Sequence, residues 1–407
     1  MRLIAKIAGR AALLCFGIVA ALIVGEIGLR ITGMAKPAFY TYDRYRGWGL
    51  RPGAAGWNTK EGEGWVRINR EGFRGPETSI AKPPGTIRIA VLGDSFTEAQ
   101  QIAEDKTFSA VIGRALAGCP ALHGRKVEVL NLGVNGYGTI QELMTLRHQA
   151  WQFAPDIVVL AVFSGNDIVN NSLAMETERC RPFYAYRDGE MVPAGPLFDS
   201  PISRGQCMMR FEGRLRFDPH QSAVIRMIDD GWRAVRDRLP GKHHHHSEPV
   251  GSELGINDLV YKPPADANWR EAWRVTEGII EQMNREVKAH HAAFLAVTLT
   301  TSVQVWPDAA ARDQYMRRLG ISDLLYPDQR IEALGRRDGF PVLVLAQPLA
   351  AYAQQHHVFL HGFKNTKVGE GHWNELGHQV GGDLIAARLC EMITSGQVPS
   401  HWSGGGH

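Results

Sequence analysis

Short apolar runs alternate with longer amphipathic ones over most of this chain, which predicts an α/β protein built as a three-layer αβα sandwich around a central parallel sheet. Three observations carry that prediction. Five runs have the length and composition of strands covered on both faces: Thr86 to Leu92, Val127 to Leu132, Ile157 to Phe163, Phe294 to Leu299 and Val342 to Leu345. Between and after them lie helical stretches at Phe108 to Leu116, Gln141 to Phe153, Asn268 to Lys288, Ala309 to Arg318 and Asn374 to Ile393. The first three strands also end in clusters of Gly, Asn and Ser, the small residues that turn a chain from strand to helix. Strands joined through helices imply right-handed crossovers, and strand order 2-1-3-4-5 is the simplest arrangement.

Four regions flank or interrupt this pattern. Residues 1–35 begin with Arg2, Lys6 and Arg10 and continue into the apolar run AALLCFGIVAALIVG. Basic residues ahead of such a run orient an N-terminus toward the cytoplasm and export the chain beyond it, so the segment reads as a signal anchor, with a cleaved signal peptide as the alternative. Residues 36–85 are rich in Gly, Trp, Arg and Tyr without helical period and read as loops and short strands that wrap the main domain. The domain itself occupies residues 86–398, with an insertion at about 170–264, too long for an ordinary connection. Within the insertion, Ala223 to Leu239 reads as an amphipathic helix and His243 to His246 as a solvated loop rather than a metal site. Residues 399–407 form a Gly-rich tail.

The chain has 407 residues, 44% hydrophobic and 21% charged, which excludes a disordered, collagen-like or coiled-coil protein. Its net charge of +3 resides in the first ten residues, since the remainder carries 42 basic and 42 acidic side chains. A neutral body without a basic stripe excludes nucleic acid as a partner. Export would permit disulfides, and Cys119, Cys180, Cys207 and Cys390 allow three pairings, of which Cys180 with Cys207 closes the most local loop; free buried thiols are the alternative. No two cysteines have zinc-type spacing, and neither a metal nor an organic cofactor is expected.

The chemistry lies at the strand ends. The first strand runs into Gly93-Asp94-Ser95-Phe96-Thr97-Glu98, which places a serine just past the end of a central strand. The second ends in Asn131-Leu132-Gly133-Val134-Asn135-Gly136-Tyr137-Gly138, and the third in Phe163-Ser164-Gly165-Asn166-Asp167. In an open parallel sheet these two ends flank the first. The backbone N–H of Gly136 and the amide of Asn166 would then converge beside Ser95 as an oxyanion hole, in which one donor contributes about 3–4 kcal/mol to the transition state. A serine hydroxyl also needs a base. Gly369-Glu370-Gly371-His372-Trp373-Asn374 opens the last helix and offers His372, with Glu370 near enough in sequence to orient it. His378, six residues on and inside the helix, reads as a packing histidine.

These blocks, in this order and on these elements, resemble the SGNH (GDSL-type) hydrolases. The resemblance covers about residues 86–170 and 268–394. It implies a flavodoxin-like SGNH fold, with Ser95 as nucleophile, with Ser95, Gly136 and Asn166 as the oxyanion hole, and with His372 as base. The family usually places an aspartate two or three residues before the histidine. Here those positions are Glu370 and Gly369, so the acid is the point of departure from the pattern.

The N-terminal segment, the GWGLRPG and NREGFRGPE stretches and the HWNELGH ending are similar to bacterial extracytoplasmic members of that superfamily associated with cell-surface polysaccharides. That similarity implies a domain facing the periplasm, an ester or acylated carbohydrate as substrate, and attachment to the membrane through the N-terminal helix. Three functions are open to such a chain. The first is a serine esterase that removes O-acyl groups, O-acetyl above all. The second is an O-acetyltransferase supplied by a membrane acyl-donor partner. The third is a carbohydrate-binding protein that has kept the fold and lost turnover. Trp48, Trp57, Trp65 and Trp373 are candidates to stack on sugar rings, though tryptophan packs in cores as readily.

Overall fold

The structure, a computed structural model, describes residues 2–31, 39–217, 224 and 255–399. Two antiparallel hairpins come first, β1 (Tyr40–Asp43) with β2 (Gly47–Leu50) and β3 (Ala55–Asn58) with β4 (Gly64–Arg67). The central sheet is built from β5 (Thr86–Leu92), β6 (Lys126–Asn131) and β7 (Ile157–Val162). A third hairpin, β8 (Phe183–Arg187) with β9 (Glu190–Ala194), lies in the insertion. Then β10 (Ala293–Thr298) and β11 (Val342–Val344) complete the sheet.

The sheet has five parallel strands in the order β11-β10-β7-β5-β6. Counted along the sheet this is the expected 2-1-3-4-5, and all five predicted strands agree with the structure to within a residue or two at each end. Both faces are covered, as the unbroken apolar character of the strands requires. On β7, Val158, Leu160 and Val162 point into one core with Trp273 and Ile279, while Val159 and Ala161 point into the other with Trp373 and Leu389. Each fully buried Val, Ile or Leu of these strands contributes about 1.5–3 kcal/mol.

The segment before the sheet is a wrap with its own small core. Phe39, Leu50, Val66 and Ile68 pack against Val134 and Tyr137 from the loop after β6. Deeper in, the guanidinium of Arg74 is buried and donates to the carbonyls of Glu98, Ala99 and Ile102, the first at 2.7 Å and the last at 2.6 Å. The turn after β5 is thus held from outside the sheet.

Disulfides join Cys119 to Cys390 and Cys180 to Cys207. The first ties the helix layer after β5 to the last helix, Glu375–Thr394, across 271 residues of sequence. The second ties the start of the insertion to the helix Pro201–Phe217. The amphipathic helix expected at Ala223 to Leu239, apart from Val224, and the His243 to His246 run lie outside the described residues.

At the N-terminus a helix forms over Arg2–Ile31. No helix among the described residues is long and apolar enough to cross a membrane.

Candidate active site

Ser95 stands at the first position of a one-turn helix, Ser95–Glu98, immediately after β5. The turn into it is tight. A side chain on Gly93 would collide with Thr97, and the Asp94 carboxylate caps the helix by accepting the Phe96 N–H at 2.9 Å. Asp94 is fully buried, and burial pushes its carboxyl above the ordinary value, opposed by the Phe96 N–H, by the charge of His372 and by the amide of Asn166.

His372 approaches from the loop before the last helix. Its Nε2 lies 2.8 Å from Ser95 Oγ. The loop is fixed by His361, whose Nδ1–H donates to the Gly371 carbonyl at 2.6 Å and whose Nε2 lies 3.2 Å from the Thr300 hydroxyl. Burial lowers the His361 pKa to about 4, so this ring is a neutral structural link. The Phe96 ring lies 4.8 Å from the His372 imidazole, centroid to centroid, and walls its flank.

The acid that orients His372 is Glu61. Its Oε2 lies 2.5 Å from Nδ1, and its Oε1 accepts the His372 backbone N–H at 2.8 Å. Burial raises the Glu61 carboxyl, but the hydrogen bonds and charge of His372 together outweigh it and hold the group below its ordinary value. Glu370, the residue the sequence pointed to, is turned elsewhere. Its N–H closes a turn onto the Lys367 carbonyl at 3.2 Å, and its carboxylate pairs with the Lys367 ammonium.

Glu61 comes from the loop between β3 and β4, in the wrap. That loop is clamped by Asn365, which accepts the Gly62 N–H at 2.9 Å and donates to the Gly62 carbonyl at 2.9 Å and the Thr59 carbonyl at 3.3 Å. Gly62 has φ +62, and a Cβ there would meet the Gln101 carbonyl and the Phe363 ring, so only glycine lets the loop close this far. The Asn58 side-chain amide donates a hydrogen bond to the Glu61 carbonyl at 3.3 Å.

The oxyanion candidates divide. Asn166 lines the same pocket as Ser95 and His372, and its Nδ2 donates to Asp94 at 3.2 Å. Gly136 lies in the wall of a neighbouring cavity, while Asn135 lines both, so the Asn135–Gly136 peptide stands between them. The preceding peptide is held by Glu98, which accepts the Asn135 N–H at 2.6 Å and the Tyr40 hydroxyl at 3.1 Å. Glu98 is fully buried, and burial raises its carboxyl.

Of the four tryptophans that are candidates for sugar stacking, Trp373 is fully buried with its Nε1 on Thr300 at 2.9 Å, and so belongs to the core. Trp57 and Trp65 form a cross-strand pair on the β3–β4 hairpin, each about half exposed, and Trp48 lines the neighbouring cavity. His378 is buried and stacked on Phe108, whose N–H it accepts at 3.2 Å, a packing role. No metal-binding cluster of His, Cys, Asp or Glu is present among the described residues.

A hydroxyl, an imidazole and a carboxylate in one hydrogen-bonded chain beside an amide donor can activate a serine and stabilise an oxyanion. No protein-family model and no curated protein matches this chain. Among solved structures, it is similar to the acetyl xylan esterase AlAXEase at 11% identity, covering 74% of this chain and 100% of that one with a TM-score of 0.38. It is also similar to the lipase/acylhydrolase from Enterococcus faecalis at 14% identity, 75% and 96% coverage and a TM-score of 0.36. A third is a two-domain esterase (CEX) active on acetylated mannans, at 10% identity, 76% and 50% coverage and a TM-score of 0.36.

Proposed function

We propose that this protein is a serine ester hydrolase that removes O-acyl groups, O-acetyl in particular, from a carbohydrate or related ester. The hydrogen-bonded chain from Ser95 through His372 to Glu61 carries this reading. His372 Nε2 takes the Ser95 hydroxyl proton as Oγ attacks the ester carbonyl, and Glu61 holds the imidazole with its proton on Nδ1 and steadies the imidazolium. The oxyanion of the tetrahedral intermediate is met by the Ser95 and Gly136 backbone N–H groups and the Asn166 amide. His372 then protonates the departing alcohol, leaving an acyl-Ser95 ester. Water activated by the same imidazole releases the acid and restores the serine.

The catalytic pocket is small, about 220 Å³, and is walled by Phe96, Phe163 and Ile256 next to Ser95. That size and lining suit a short acyl group. The two disulfides support an extracytoplasmic location, because such bonds persist in oxidising compartments. The test is labelling with an activated fluorophosphonate together with turnover of p-nitrophenyl acetate. Labelling that disappears in Ser95→Ala is expected, and a folded protein that neither labels nor turns over would overturn the reading. Acetyl release to water rather than to an added oligosaccharide distinguishes hydrolysis from transfer.

A further inference from the structure

Near the close of the insertion, Ile256 adopts φ +61, in the left-handed region that crowds a β-branched side chain. The other non-glycine residues described with positive φ are Ala, His and Asp, so Ile256 is the one β-branched side chain among them. The conformation closes a γ-turn, in which the Asn257 N–H donates to the Gly255 carbonyl at 2.8 Å. Such strain persists only where the surroundings enforce it. Here they do. A Cβ on Gly255 would stand 2.6 Å from the Tyr315 hydroxyl and 2.7 Å from the Tyr261 ring, so the turn is seated between two tyrosines with no room for a side chain. Tyr315 donates in turn to Asp258, and the Tyr261 hydroxyl lies 2.6 Å from that of Thr301. The side chain presented by this turn lines the catalytic pocket together with Ser95 and His372. Its Cδ1 lies 3.2 Å from where a Cβ on Gly165 would stand, against the loop that carries Asn166.

We propose that Ile256 closes the acyl end of the catalytic pocket and confines the substrate to short acyl groups; the inference rests on the esterase reading above. Once Ser95 Oγ has attacked, three other groups surround the former carbonyl carbon. The oxyanion faces the Asn166 amide, and the leaving oxygen faces His372 Nε2, which protonates it. Phe96 and Gly371 belong to the His372 side, one flanking its ring and the other preceding it in the loop. The acyl substituent takes the wall that remains, formed by Phe163, Ile256, Thr301 and Ser302. Phe163, Thr301 and Ser302 are buried, whereas Ile256 is half-buried and so has apolar surface left to meet an acyl chain. Because the turn is gripped through Gly255, the backbone beneath Ile256 cannot retreat to admit a longer chain. Butyryl is two methylenes longer than acetyl, and Ile256→Ala would remove three carbons from this wall. One methylene in an apolar pocket discriminates by roughly 10- to 200-fold.

The experiment measures kcat/KM of the full chain on p-nitrophenyl acetate and p-nitrophenyl butyrate, between which only the acyl group changes, and on α-naphthyl acetate, in which only the alcohol does. Wild type is expected to favour acetate over butyrate by at least about tenfold. Ile256→Ala should raise the ratio of butyrate to acetate by about tenfold and leave the ratio of the two acetates within about twofold. Ile256→Gly accepts φ +61 without strain and should do the same, which separates the missing side chain from any loosening of the turn. An unchanged ratio of butyrate to acetate in folded Ile256→Ala and Ile256→Gly would overturn the inference while leaving the esterase intact. A larger change in the ratio of the two acetates would do so as well, by placing Ile256 on the alcohol side. Absence of wild-type turnover on all three esters, with Ser95 unlabelled by fluorophosphonate, would instead remove the reading beneath it.

Discussion

Glu61 grips His372 with both carboxylate oxygens, one on the imidazole Nδ1 at 2.5 Å and one on the backbone N–H at 2.8 Å, across 311 residues of sequence. The two bonds fix both the tautomer and the position of the ring. Glu61→Gln leaves a side chain of the same shape that no longer stabilises an imidazolium, and kcat on p-nitrophenyl acetate should fall by about 10²–10⁴. Glu370→Gln should stay within about twofold of wild type. Equal losses in the two variants would show that Glu61 is not the acid.

Asn365 acts through Glu61. Its amide both accepts from and donates to Gly62, so Asn365→Ala releases the loop that carries the carboxylate. Steady-state kinetics should show kcat reduced by about tenfold with KM nearly unchanged, and an altered pH–rate profile. Asn365→Asp should not rescue, because a carboxylate cannot donate to the Gly62 and Thr59 carbonyls. A variant with wild-type kcat and profile would remove Asn365 from this role.

Acid should weaken the Glu61 contact. Because the Glu61 carboxyl is held below its ordinary value, its pairing contributes stability that is complete above the unfolded carboxylate pKa of about 4.3 and is lost as pH falls through the lower folded value. Thermal melts from pH 6 down to pH 3 should fall less steeply in Glu61→Gln than in wild type. Parallel curves would contradict the assignment.

Behind the site, the opposite sign applies. Glu142 is buried with neither carboxylate oxygen hydrogen-bonded among the described residues, and burial, reinforced by the charges of Asp167 and Asp94, pushes it well above its ordinary value. Burial and the charge of Asp94 raise Asp167 likewise. A raised acid costs stability as pH climbs above its unfolded value, by up to about 1.4 kcal/mol per unit. Glu142→Gln should therefore melt close to wild type at pH 5 and increasingly above it toward pH 8. A difference that does not change with pH would refute this.

The bond between Cys119 and Cys390 closes the longer of the two loops. Removing it in the double alanine variant should cost about 2–5 kcal/mol, seen as a lowered Tm under non-reducing conditions. A Tm unchanged from wild type would mean that the bridge does not restrain the unfolded chain.

The sheet was legible because each strand's burial on both faces is written into an unbroken apolar run, as in TIRIAVL of β5. Ser95 and His372 were legible because each stands beside a local signal, the Gly93-Asp94 turn in one case and the Asn374 helix cap in the other, although Arg74 and His361 complete their support from a distance. Glu61 was not. Its neighbourhood, Lys60-Glu61-Gly62-Glu63-Gly64, has no periodicity and offers two glutamates with nothing local to choose between them. The choice is made by Asn365 and Asn58, whose bonds exist only once the hairpin has docked. Glu370 misled for the mirror-image reason: nearness in sequence placed it beside His372, while a four-residue turn spent its carboxylate on Lys367.

The hairpin that carries Glu61 precedes the whole sheet in the chain, and His372 comes after it. During synthesis Glu61 emerges first, Ser95 next and His372 last, so no chain shorter than 372 residues holds all three. On the proposed esterase reading, competence arrives only when the hairpin before the sheet has met the loop after it, which makes activity a report of completed folding and keeps Ser95 silent until then.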